Sequence, residues 1–90
     1  MTIFIDAPNW PGHGHLWSHL ISDTSFAELH GFAARTGIPR RAFDDDHYDV
    51  PAERFAECLA AGAQQRRSRE LVALLNAAGL RRRKRSRLAR

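Results

Sequence analysis

The sequence predicts a small α/β domain, a three-stranded and mainly parallel sheet with four helices in the order β-α-α-β-α-β-α. Three observations predict it. A β-favouring apolar run opens the chain, segments of helical apolar spacing recur after it, and short stretches between helix stop and start signals leave room for two more strands. Strands that alternate with helices pair in parallel through right-handed crossovers, with the helices packed on the sheet.

The first strand is Thr2-Ile3-Phe4-Ile5, released at Asp6 into the turn-rich Ala7-Pro8-Asn9-Trp10-Pro11-Gly12. Over residues 15–21, Leu16, Trp17, Leu20 and Ile21 fall at helical spacing, which predicts a helix of about two turns. A second helix starts at Ser25, whose spacing to Glu28 is that of a capping box, with Asp23 and Thr24 as alternative caps. Its face is Phe26, Leu29, Phe32, Ala33 and Thr36, and Gly37 stops it.

Residues 38–43 then read as the second strand, with Pro39 confined to its start. Pro51 suits the first turn of a third helix, in which Phe55, Cys58 and Leu59 face the core before Gly62. Residues 63–67 have the length of a short third strand. Ser68 caps the last helix, whose stripe of Leu71, Val72, Leu74, Leu75 and Ala78 closes at Gly79.

Composition bounds the function classes. With 43% hydrophobic and 27% charged residues, the chain is too apolar for a disordered protein. Residues 1–80 are expected to form one domain and residues 81–90 a disordered basic tail. A single cysteine, Cys58, excludes an internal disulfide framework and sits on an apolar helix face, as an inert thiol does. The first residues lack the pattern of a secretory signal, and no apolar run approaches the roughly 20 residues of a spanning helix, so a cytoplasmic protein without membrane contact is expected. Short sheet edges make either a monomer or a homodimer compatible with this reading.

The formal charge of +4 belongs to the tail. Arg81, Arg82, Arg83, Lys84, Arg85, Arg87 and Arg90 are half of the 14 basic residues; the other seven face ten acidic ones, a balance of −3 over residues 1–80. Such a tail could grip nucleic-acid phosphates without reading sequence, or serve as a solubilising end.

One cluster points to chemistry. In an open parallel sheet the ligand crevice lies beyond the carboxyl ends of the strands, here Asp6 and the run Asp44-Asp45-Asp46-His47-Tyr48-Asp49. On a helix His15, His19 and Asp23 share one side, and imidazole with carboxylate suits zinc, manganese or iron. His19, Asp23, His47 and Asp49 are therefore candidate metal ligands, with Asp6 or His30 as base or supporting partner. No Glu follows the first His in His15-Leu16-Trp17-Ser18-His19, which argues against a zinc-protease helix. Each residue also has a plain structural reading, among them Asp23 and Asp49 as helix caps, Asp6 as a turn residue, and the three consecutive aspartates as a solvated run. Trp10 and Trp17 read as covers of the core edge, with base stacking as the alternative.

Several segments carry a resemblance: Ile5-Asp6, Leu16-Trp17-Ser18-His19-Leu20-Ile21-Ser22-Asp23, Glu28-Leu29-His30, Gly37-Ile38-Pro39-Arg40-Arg41, Phe43, His47-Tyr48-Asp49-Val50-Pro51 and Ala61-Gly62-Ala63. Over residues 1–80 the chain resembles a small family of bacteria and their phages catalogued as domain of unknown function 4031. The resemblance implies that the pattern residues are His19, Asp23, His30, His47 and Asp49, with His13 and His15 outside it. It brings no activity, substrate or cofactor. Two functions are weighed: a metal-dependent phosphoester hydrolase, and a non-catalytic accessory or nucleic-acid-binding module whose His and Asp residues form a structural network.

Overall fold

The computed structural model describes residues 1–82. Its elements are β1 (Ile3–Ile5), β2 (Trp10–Gly12), β3 (His15–Ser22), α1 (Phe26–Arg35), β4 (Phe43–Asp44), β5 (His47–Pro51), α2 (Phe55–Ala60), β6 (Gln64–Gln65) and α3 (Ser68–Ala78), with single 3-10 turns at Arg40–Ala42 and Ala52–Arg54. The α/β class stands, but the sheet has six strands and is mixed. Its order is β4-β5-β3-β1-β6, with β2 also on β3. Among the described residues only β1 and β6 pair in parallel; the other pairs are antiparallel. No helix among the described residues is long and apolar enough to cross a membrane.

The largest correction falls on residues 15–21, which form the central strand β3 and not a helix. Leu20 and Ile21 are both buried because β3 has partners on both edges and helices over both faces. Adjacent apolar positions on a doubly covered strand imitate helical spacing. The hairpin that precedes it turns at His13 and Gly14, with φ of 50° and 76°, and Gly12 stands opposite His15. Two successive positive-φ residues between paired strands are the signature of a type I′ turn, which sends β3 straight back along β2.

The predicted strand at residues 38–43 is mostly a turn. Pro39 offers no N–H to a ladder, the Ala42 N–H donates to the Pro39 carbonyl at 3.0 Å, and only Phe43–Asp44 joins the sheet. Residues 47–51, expected as a loop, form β5, in which Tyr48 and Val50 are buried and His47 and Asp49 are half-buried. That period of two is the pattern of a strand with one covered face. Pro51 therefore ends a strand, and α2 begins only at Phe55. The predicted third strand and the helices from residues 26 and 68 are present. Ser25 caps α1 by accepting the Glu28 N–H at 3.0 Å. The Glu28 side chain takes the Ser22 hydroxyl instead of completing the box.

Alternation along the strands sorts two cores. Ile3, Ile5, Leu20, Tyr48 and Val50 pack with Leu29, Phe32 and Ala33 of α1 and Cys58 of α2. Phe4 and Ile21 pack with Leu71 and Leu75 of α3. Asp6, His19, His47 and Asp49 share the strand parity of the second set, which puts them on the α3 face. Most of the tail expected to be disordered, from Arg83 to Arg90 and including Lys84, Arg85 and Arg87, lies outside the described residues.

Candidate metal centre

The site starts from a change of register. Ile5 pairs with Leu20 and Trp10 with Trp17, so five residues of the first two strands advance against three of β3. The surplus falls after Asp6, whose main-chain N–H still donates to the His19 carbonyl at 3.2 Å. Bulges occur near functional sites, and the Asp6 carboxylate directly before this one lies against His19. Oδ1 of Asp6 accepts the His19 main-chain N–H at 2.6 Å, and Oδ2 lies 2.7 Å from His19 Nδ1. Asp6 Oδ2 also accepts the Ser68 hydroxyl at 2.5 Å and the Trp10 indole N–H at 3.2 Å.

A second pair is built the same way from the β4–β5 hairpin. Asp44 stands opposite His47, and Asp45 takes a φ of 62° in the two-residue turn between them, a conformation that Asp tolerates. The turn tucks Asp46 inward, where it is 1% exposed. Asp46 Oδ1 lies 2.8 Å from His47 Nδ1. Its Oδ2 accepts the Arg82 main-chain N–H at 2.8 Å and the Arg81 guanidinium at 3.3 Å. Asp46 is thus a buried anchor and not the solvated residue expected from the aspartate run.

His19 stands directly opposite Asp49 in the β3–β5 register. The His19 and His47 rings lie 5.1 Å apart at 76°, and His47 Nε2 is 3.2 Å from Asp49 Oδ1. One ligand atom from each of His19, His47 and Asp49 can be chosen so that all lie within 4.8 Å of one another. Each Nδ1 faces a buried carboxylate, which in a neutral ring makes Nδ1 the donor and leaves the lone pair on Nε2; His47 Nε2 also faces Asp49 and presents a lone pair only when that contact is given up. A carboxylate behind each histidine is the usual support of a metal-binding imidazole.

These contacts set the protonation. Burial works against the Asp6 carboxylate, yet hydrogen bonds from the His19 ring, the His19 main chain and Ser68 hold its pKa below the ordinary value. Burial likewise opposes the His47 imidazolium, and the bonds to Asp49 and Asp46 outweigh it, so that pKa is raised. The site opens into a cavity of about 610 Å³, also bordered by Trp10, Ser68, Arg69 and Arg81.

Asp23 and His30 are not brought to this site. Residues four apart on a strand are separated by about 13 Å, and Asp23 Oδ1 accepts the Thr2 N–H and the Thr24 hydroxyl, both at 2.8 Å. Those bonds, the Thr2 one foremost, lower its pKa. His30 lies with the other core, where its Nδ1 is 2.7 Å from the Tyr48 hydroxyl and its ring meets Phe43 edge-on at 4.7 Å. Burial, then Arg40, lowers its pKa. His15 is exposed at the start of β3. Cys58 is buried, and burial pushes its thiol up to about 11, as an inert cysteine requires. Sequence reasoning missed Asp46 and Ser68 as parts of the site. The one signal for Asp46 was its place directly before a histidine.

A family model described as "Protein of unknown function (DUF4031)" matches residues 3–78. No curated protein and no solved structure matches the chain.

Proposed function

The chain belongs to the DUF4031 family, and because membership brings no activity with it, we propose from the site alone that this protein is a divalent-metal-dependent phosphoester hydrolase. The observation that carries the reading is the repeated Asp–His pair: Asp6 behind His19 and Asp46 behind His47, with Asp49 completing a set of ligand atoms within 4.8 Å. Two imidazoles and one carboxylate are borderline donors that suit zinc, manganese or iron, and all three residues line the cavity. A metal held there would supply Lewis-acid chemistry, acidifying water and offsetting phosphoryl charge. His19, His47 and Asp49 hold the ion, Asp6 and Asp46 orient the imidazoles, and Arg69 and Arg81 offset substrate charge on the cavity wall. Asp23 and His30 have no part in this arrangement. A nucleic acid gripped by the basic tail fits the same chemistry.

The second reading is a non-catalytic module with a structural polar network, and His47 favours it, since both its ring nitrogens already face carboxylates. Elemental analysis of protein incubated with zinc, manganese or iron separates the two. The hydrolase reading expects near-stoichiometric metal, lost in both His19→Ala and His47→Ala, and cleavage of an activated phosphodiester by the loaded wild type alone. Protein that stays metal-free under all three ions sinks it and leaves the network reading.

A further inference from the structure

A second cavity, of about 390 Å³, adjoins the first, and Trp10 and Ser68 border both. Its other walls include Asn9, Gln65, Arg66 and Arg67. Trp10 therefore stands between the His–Asp site and an arginine-bordered groove, and it is 46% exposed, unusual for so large an apolar side chain. It is nevertheless fixed in place. Its indole N–H lies 3.2 Å from both Asp6 Oδ2 and Ser68 Oγ, and its ring meets His19 edge-on at 5.1 Å. A rigid aromatic face in a groove is a stacking platform, and its orientation here is set by the same carboxylate that orients His19.

Asp6, Asp44 and Asp49 stand on the His–Asp side of the platform, and the charged residues on the wall of the second cavity, Arg66 and Arg67, are basic. Arg66, Arg67 and Arg69 are exposed beside it. Glu70, the acidic residue of that segment, accepts the Arg67 main-chain N–H at 3.0 Å. Arg66 is braced over the Phe4 ring at 5.5 Å and donates to Gln65 O and Gln64 Oε1. An aromatic face flanked by arginines, with the Asn9 and Gln65 amides at hand, matches a polyanion that carries flat rings. An acidic peptide offers the charge without the rings. A duplex hides its base faces in the stack, so the partner must present unpaired bases.

We propose that the groove across Trp10 binds single-stranded nucleic acid, with one base stacked on the indole and the adjoining phosphates on Arg67 and Arg69. The inference rests on the hydrolase reading for the fate of the bound strand, which would pass from Trp10 to the His19 and His47 site, and not for the binding itself.

The test is fluorescence anisotropy of the full-length protein with a labelled mixed-sequence DNA strand of about twelve nucleotides, beside its duplex and beside polyglutamate as competitor. The single strand is expected to bind about tenfold tighter than the duplex. Trp10→Ala should weaken the single strand about tenfold or more and leave the duplex unchanged, while Trp10→Phe keeps most of the affinity. Arg67→Ala combined with Arg69→Ala should lower the salt slope by about two. Duplex binding as tight as single-strand binding, an equal loss on both with Trp10→Ala, or equal competition by polyglutamate each overturns the proposal. Metal content measured on the same samples keeps the two readings apart. Loaded protein that does not discriminate single strands defeats this inference alone, and metal-free protein that binds them through Trp10 defeats the hydrolase reading alone.

Discussion

The main-chain N–H of Arg82 donates to the buried Oδ2 of Asp46 at 2.8 Å across 36 residues of sequence. The start of the basic segment is thus docked against the residue that orients His47, and the Arg82 guanidinium lies over the Phe26 ring at 4.5 Å. A chain ended after Leu80 loses this donor and the Arg81 contact, and leaves one oxygen of a buried carboxylate without its partners. Metal affinity is expected to fall about 10- to 100-fold, the usual effect of disturbing a ligand's support. A chain ended after Arg82 keeps the donor and should keep the affinity. Isothermal titration of both forms checks this, and equal affinities would show that the docked segment does not support the site.

Asp6 accepts from the His19 main chain, the His19 ring, Ser68 and Trp10. Asp6→Asn places an amide N–H₂ where one of those donors points. The expected cost is about 1–3 kcal/mol in urea unfolding, together with weakened metal binding. The pH dependence follows from the lowered carboxylate pKa. Its stabilisation is fully present above the unfolded value of about 4 and disappears as pH falls through the lower folded value. Acid unfolding of Asp6→Asn should therefore show a shallower loss of stability below about pH 4 than the wild type.

His47 has the opposite sign. Its pKa is raised in the folded, metal-free protein, so its contribution is fully present below the unfolded value of about 6.5 and is lost as pH rises through the folded one. The melting temperature of metal-free wild type should decline across that interval, and that of His47→Gln should not. A bound metal needs the neutral imidazole, so binding should release a proton and strengthen as pH rises. Calorimetry in buffers of different ionisation enthalpy measures that release.

Tyr48→Phe provides the control on the other face. It removes the hydroxyl 2.7 Å from His30 Nδ1 and should cost about 0.5–1.5 kcal/mol of stability. Metal affinity should not change, because His30 and Tyr48 pack in the α1 core, away from the α3 face. A loss of metal comparable to that of His47→Ala would mean that the two faces are coupled.

Local chemistry in the sequence determined several features outright. Ser25 and Gly37 bracket α1, Gly79 closes α3 at a φ of 75°, and the apolar run at Ile3–Ile5 is a buried strand. Each depends on neighbours within a turn or two, which is the range over which capping, backbone sterics and periodicity act. The residue types of the site were legible as well, since His19, His47, Asp49 and Asp6 stood out before any fold was known.

Only the tertiary structure decided which of them meet. Whether residues 15–21 coil or extend was settled by β1, β2 and β5 hydrogen-bonding to them and by cover on both faces. Once they extend, Asp23 lies about 13 Å from His19, while Asp49, next to the Val50 that pairs with Ser18, stands opposite His19 itself. Asp46 shows the same limit: adjacency to His47 made the contact available, but its burial depends on Arg81 and Arg82 arriving from the far end of the chain. Spacing along one segment states what a residue could ligate; pairing between distant segments, whose free energy comes from burying both at once, decides what it does.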